Sequence, residues 1–204
     1  RAVNIKGTNS AALNDIYLEL IGNGISVDNF TININKQDYG IYVANAVDVV
    51  VKNSLVNFND AGTSDAIAVY ANGAGNLQLI NNTVTYSGQS KGKTLNHPVH
   101  IDDCRGAIIE NNTIDAVGDG IQLAANAKNI TVDNNVIISG KNYAVSVAGT
   151  TGTNTSITNN YIISKDYYGN GAVTSKSNDT IIENNTPAGA SINADISAII
   201  NKNA

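Results

Sequence analysis

Tryptophan and methionine are absent from this chain of 204 residues, and cysteine occurs once, as Cys104. Proline, phenylalanine and histidine occur twice each, and only 14% of residues are charged. A single cysteine cannot build an internal disulfide framework, so the fold must rest on packing and hydrogen bonds. It leaves the redox compartment open. With a net charge of −5 and no basic run, nucleic-acid binding has little electrostatic support. No apolar run approaches the ~20 residues of a membrane span, so insertion into a bilayer is not expected. The chain opens on Arg1, without an initiator Met or a signal-like apolar segment. The expectation is a processed product, or a segment of a longer protein.

Asparagine is what the chain has in abundance, and its placement is periodic. Apolar, any residue, Asn, usually Asn, any residue, apolar recurs as "VDNFTI", "VKNSLV", "LINNTV", "IENNTI", "VDNNVI", "ITNNYI" and "IENNTP". The leading Asn of each copy is Asn29, Asn53, Asn81, Asn111, Asn134, Asn159 and Asn184, at spacings of 24, 28, 30, 23, 25 and 25 residues. Repetition at that period marks a stacked architecture in which no unit buries its apolar side alone. Before each motif lies a short run with inward apolar residues at alternate positions, a strand signal. These inward pairs read Ile16/Leu18, Ile41/Val43, Ile67/Val69, Val99/Ile101, Ile121/Leu123, Val145/Val147 and Val173/Ser175. The expected fold is all-β: a right-handed parallel β-helix of about seven to eight coils. The repeated Asn amides would form a ladder along one turn, each bond contributing about 1 kcal/mol. Residues 1–204 read as a single domain, with 188–204 a C-terminal cap or the start of a next coil.

The "IENNTI"-type coils resemble the right-handed parallel β-helix repeat of the pectate-lyase-like superfamily. In their Asn-rich, low-charge texture they are most similar to adhesin-like surface proteins of methanogenic archaea. The resemblance covers about residues 15–187. It implies a carbohydrate-facing protein, extracellular or on a cell surface, with a polysaccharide or surface glycan as partner, acting as a monomer or within a longer chain. It does not choose between enzyme and adhesin, because the superfamily holds both.

Reactive residues concentrate in "LNHPVHIDDCRG", residues 95–106, which holds both histidines and the cysteine. Aligning coils on the strand before each Asn motif generates columns along the rod. One outward column reads Tyr17, Tyr42, Ala68, His100, Gln122, Ser146, Thr174. A second, two residues before the first inward position, reads Tyr39, Asp65, His97, Asp119, Tyr143, Gly171. A third reads Ala44, Tyr70, Asp102, Ala124, Ala148. On this alignment His97 stands between Asp65 and Asp119, which favours its protonated form. Tyr39, Tyr42, Asp65, His97, His100, Asp102, Asp119 and Gln122 are the candidate ligand-binding residues, with Tyr17 beside them: rings to stack on sugars, polar groups for hydroxyls.

Catalysis is the alternative, with His97, His100, Asp102 and Asp103 as candidates. Two carboxyl groups would serve glycoside hydrolysis. A histidine base, with Arg105, Lys91 or Lys93 opposite a sugar carboxylate, would serve a lyase or epimerase. The motifs of β-helix hydrolases and epimerases are not reproduced: "DD" is present, "GDG" lacks a histidine, and "NHPVH" is not Asp-Pro-His. The reading leans to binding. No metal site is assigned, since His97, His100 and Asp102 do not share one face. A Ca²⁺ among Asp65, Asp102, Asp103 and Asp119 stays open. Asp102 and Asp103 also read as a turn-forming pair. Cys104, aligned with Ala46, Asn72 and Asn126, reads as an inert, partly buried thiol.

Overall fold

The computed structural model describes residues 2–8, 12–35, 37–58, 67–86, 97–140, 143–149, 153–164, 172–188, 192–194 and 199–201. Every element among them is a β-strand, and all paired strands run parallel at successive coils. A typical coil has three strands: Val99–Asp102, Arg105–Glu110 and Thr113–Asp115. The first two belong to a 17-stranded sheet that continues round a corner, and the third to an 8-stranded sheet. They are called here the front, side and back faces. The result is a parallel β-helix with six full turns between Asn29 and Asn184.

Residues of like kind stack through the interior. One column runs Val27, Val51, Leu79, Ile109, Val132, Ile157, Ile182 by direct strand register. All seven are buried. Each full burial is worth roughly 1.5–3 kcal/mol, so β-branched residues at every second position, fitting the pleat, supply the main driving force.

The Asn-Asn motif divides its labour. The leading Asn residues all adopt the left-handed conformation, with φ from 51° to 63°, and make the corner between side and back faces. Asn tolerates that region better than any other residue except Gly. The ladder itself belongs to the following residue. Asn112 N–H and Nδ2–H both donate to Asn135 Oδ1, at 2.9 and 3.0 Å. Asn135 binds Asn160 in the same way, and Asn160 binds Asn185. Each Nδ2 also donates to a main-chain carbonyl one coil back, as Asn135 does to Ile109 at 2.8 Å. The expected Asn ladder is present, and it runs through the second Asn of the motif while the leading Asn residues stand exposed. Those residues form only a broken outer series, such as Asn81 Nδ2 to Asn53 Oδ1.

Two registers also differ from the alignment made on sequence. Leu18 and Leu20, not Ile16 and Leu18, pair with Ile41 and Val43. Val69 and Ala71, not Ile67 and Val69, occupy that level in the next coil. Beyond Asn184, strands Ile192–Ala194 and Ile199–Asn201 add to the front and side faces.

Candidate functional site

The corrected register defines the outward column of the front face as Glu19, Tyr42, Tyr70, His100, Gln122, Ser146, Thr174. Tyr70 thus takes the place expected for Ala68, which is fully buried. Tyr17 leaves the column and lies ahead of its strand, 40% exposed. Tyr39, at the start of Tyr39–Val47, leans over the same face. Tyr39, Tyr42 and Tyr70 stand 5.3 Å apart, centroid to centroid, in near-parallel stacks. Tyr17 meets Tyr39 edge-on at 6.5 Å, and His100 meets Tyr70 edge-on at 5.2 Å. His97 extends the series at 5.9 Å from His100. Six rings therefore form one ribbon along the rod.

Stacking decides how the ribbon can be used. The three tyrosine rings pack against one another in offset stacks, which is worth about 0.5–1.5 kcal/mol per pair. Tyr39, Tyr42 and Tyr70 are each partly exposed, so the stack leaves ring surface and phenol hydroxyls at the front face. Burial raises the Tyr39 phenol pKa, helped by Asp38 and Tyr42. Burial, Asp102 and the two neighbouring tyrosines raise Tyr70, against a weak hydrogen bond from Asn72. Both hydroxyls stay protonated and able to donate. Burial lowers the His100 pKa, the charge of His97 lowers it further, and Asp102 opposes both. His100 is therefore a neutral imidazole at pH 7.

Behind this ribbon lies a second, buried layer. His97 precedes Pro98, which biases it to extended backbone and sets it at the head of the front strand. Its Nδ1 faces Asp119 Oδ2 at 3.5 Å, one coil on. Gly120, next to Asp119, is closely packed: a Cβ there would fall 2.4 Å from Ile137 and 2.7 Å from the Ala144 carbonyl. Asp119 Oδ1 accepts the Tyr143 N–H at 3.0 Å, and Oδ2 accepts the Ser146 hydroxyl at 3.2 Å. His97, Asp119 and Ser146 are only 5–7% exposed, so this is a packed polar unit. Ser146 was absent from the candidate list; its place opposite Gln122 in the outward column was the signal.

The remaining candidates separate. Half-buried Asp102 pairs in register with Asn72 and faces outward beside His100. Asp103 is the exposed corner residue, with φ of 46°, at the level of Asn45 (48°) and Gly73 (68°). Of the expected turn-forming pair, Asp103 makes the turn while Asp102 ends the strand. Arg105 begins the side-face strand between Gly75 and Lys128, round the corner from His100. Cys104 aligns with Ala74 and Ala127, and is fully buried where partial exposure was expected. Its thiol donates to the carbonyls of Asp102 and Ala71, and burial pushes its pKa up to about 11. Asp65, Lys91 and Lys93 lie outside the described residues; the level two residues ahead of Val69 belongs to Ile67. Among the described residues no three His, Cys, Asp or Glu side chains come together as a metal cluster. Asp102, Asp103 and Asp119 are thus not gathered into one cluster, and Asp119 accepts hydrogen bonds at both oxygens.

Residues 14–186 match the sequence family described as a right handed beta helix region. No curated protein and no solved structure matches the chain.

Proposed function

We propose, for a chain that belongs to the right-handed β-helix family, that the front face binds carbohydrate through the edge of its ring ribbon. The fold is compatible with ligand binding or with enzymatic surface groups, so the proposal rests on the ribbon alone: six rings in unbroken contact from Tyr17 to His97. A polysaccharide lying along the rod would meet phenol hydroxyls from Tyr39, Tyr42 and Tyr70. Neutral His100, Asp102 and Gln122 would add hydrogen-bonding groups on adjoining positions. Such a surface fits an adhesin-like module outside the cell, as part of a longer surface protein, and needs no cofactor. The test is a glycan array and titration calorimetry with wild type, Tyr42→Ala, Tyr70→Ala, His100→Ala and Asp102→Ala. Wild-type binding weakened at least tenfold in folded variants supports the reading; a tenfold change is about 1.4 kcal/mol. A wild type that binds no neutral or acidic glycan sinks it.

One observation favours a second reading. A buried carboxylate beside His97 Nδ1 is the arrangement that orients an imidazole as a general base. Proton abstraction beside a uronate carboxylate would follow, making the protein a polysaccharide lyase or epimerase. Asp119 would be a positioning residue. Release of unsaturated sugar from a uronate polymer, abolished in His97→Gln, would move the assignment from binding to catalysis.

A further inference from the structure

A second corner ladder runs between the front and side faces, and one rung of it lacks a side chain. Asp48, Asn76, Gly106, Asn129 and Asn154 occupy successive coils there, all with positive φ. Asn76 Nδ2 donates to Asp48 Oδ1 at 3.0 Å, and Asn154 Nδ2 donates to Asn129 Oδ1 at 2.9 Å. Between these pairs the series stops at Gly106. A Cβ placed on Gly106 would sit 3.1 Å from Asn76 Oδ1, so the acceptor points at the missing rung. On the far side, Asn129 keeps its amide donor. The interruption opens into a groove of about 430 Å³ over the side face. That volume lies within the range of small-ligand sites, about 300–1,000 Å³. Its floor carries Gln78, Ile108 and Thr131, at one register on three adjacent strands. Ile108 is 40% exposed there.

We propose that this groove is a second binding site and that it takes a neutral, hydroxyl-rich oligosaccharide. Charge sets the class: among the described residues the only ionisable side chain in the lining is Asp48, whose Oδ1 accepts Asn76. An anionic ligand would find no cationic side chain among these residues. The polar groups include both donors and acceptors, which suits hydroxyls, since each hydroxyl gives one hydrogen bond and accepts others. Ile108, in the middle, offers an apolar surface to the C–H side of a sugar ring. A hydroxyl lying over Gly106 would donate to Asn76 Oδ1 and accept from Asn129 Nδ2, replacing the missing rung. The site lies round the corner from the ring ribbon and stands whether or not the ribbon binds.

The experiment titrates ¹⁵N-labelled protein with cellohexaose, mannohexaose and xylohexaose, comparing wild type, Gly106→Asn, Thr131→Val and Tyr70→Ala. Asn tolerates the left-handed angle of 77° at residue 106 and completes the ladder into the gap. The expected result is saturable shifts at the amides of Gln78, Gly106, Ile108 and Thr131 with at least one sugar. Affinity falls tenfold or more in Gly106→Asn and several-fold in Thr131→Val, and is unchanged in Tyr70→Ala. The Thr131→Val arm carries the comparison if Gly106→Asn does not fold. Three outcomes overturn the proposal: no saturable shift with any hexasaccharide, or shifts unchanged by both groove variants, or loss in Tyr70→Ala alone. A fourth is concentration-dependent self-association in sedimentation that Gly106→Asn removes. That would assign the gap to a carboxamide of a second copy.

Discussion

Replacing Asn135 by Ala separates the two roles within the Asn-Asn motif. Asn135 is 1% exposed, and its side chain takes part in five hydrogen bonds. Truncation removes the acceptor of the Asn112 main-chain N–H and leaves that donor buried. The Ile109 carbonyl loses its Nδ2 donor. Asn112 Nδ2 keeps the Leu79 carbonyl, and Asn160 Oδ1 keeps the Asn135 N–H, so these losses are partial. One orphaned donor costs about 1–3 kcal/mol and each remaining net bond about 1, giving roughly 3 kcal/mol in all. Asn134→Ala, one position earlier, loses a single exposed amide bond to Asn111 and places Ala at φ of 51°. The left-handed penalty dominates there, at about 1 kcal/mol, and Asn134→Gly should be near neutral. Urea unfolding followed by far-UV circular dichroism checks the order. With a slope of about 2–3 kcal/mol per molar, Asn135→Ala moves the midpoint down by about 1 M, and Asn134→Ala by less than half of that. Equal shifts, or a larger one for Asn134→Ala, would refute the assignment of the ladder to the second residue.

Three further outcomes follow from the titrating groups. Because burial and His97 lower the His100 pKa, the folded state binds a proton there less readily than the unfolded chain does. Its stability contribution is complete above the unfolded value of about 6.5 and declines as pH falls below it; an NMR titration of the imidazole should show a midpoint below 6.5, and His100→Gln should remove that part of the pH dependence. Burial raises the Asp179 pKa, but hydrogen bonds from Ser177, Thr153 and the Asn154 and Thr153 amides outweigh it, bringing the carboxyl to about 2. Its stabilisation is present above the ordinary value of 3.8 and lost as pH falls toward 2, so Asp179→Asn should flatten acid unfolding over that interval. Cys104, with its thiol pushed up to about 11, should stay unreactive toward a disulfide reagent at pH 8 in native protein and react fully in urea; rapid native labelling would contradict its burial.

The fold was legible because its two determinants repeat. A period near 25 residues specifies coils, and alternating apolar positions specify strands, whatever the loops between them do. The same evidence could not tell which Asn of each pair faces inward. Both are carboxamides in a turn, and the backbone separates them: Asn134 is left-handed and exposed, whereas Asn135 is not left-handed and is buried. "VKNSLV" held a hint, since its second position is Ser54, and that hydroxyl donates to the Lys52 carbonyl inside the same turn. A position that accepts Ser in place of Asn and stays 2% exposed is an interior position.

The site was harder to read for a reason of parity. Shifting a strand by one residue would have turned its core side chains to solvent, so pattern alone forbids that error. Shifting it by two leaves every inward residue inward, and both register differences in this chain are of that size: Leu18 for Ile16, and Val69 for Ile67, at the first inward position. Alternation cannot detect such a slip. What fixes the true register is length-dependent: how many residues each strand keeps before its corner, and where a left-handed residue can stand. Gly73 stands at the corner level of Asn45 and Asp103, and counting back from it brings Tyr70 beside Tyr42 and His100. From that one adjustment the ribbon follows, because three isolated tyrosines and two histidines become neighbours at ring-contact distance. In a solenoid the hydrophobic pattern specifies what is inside, and the corner residues specify which outward groups meet.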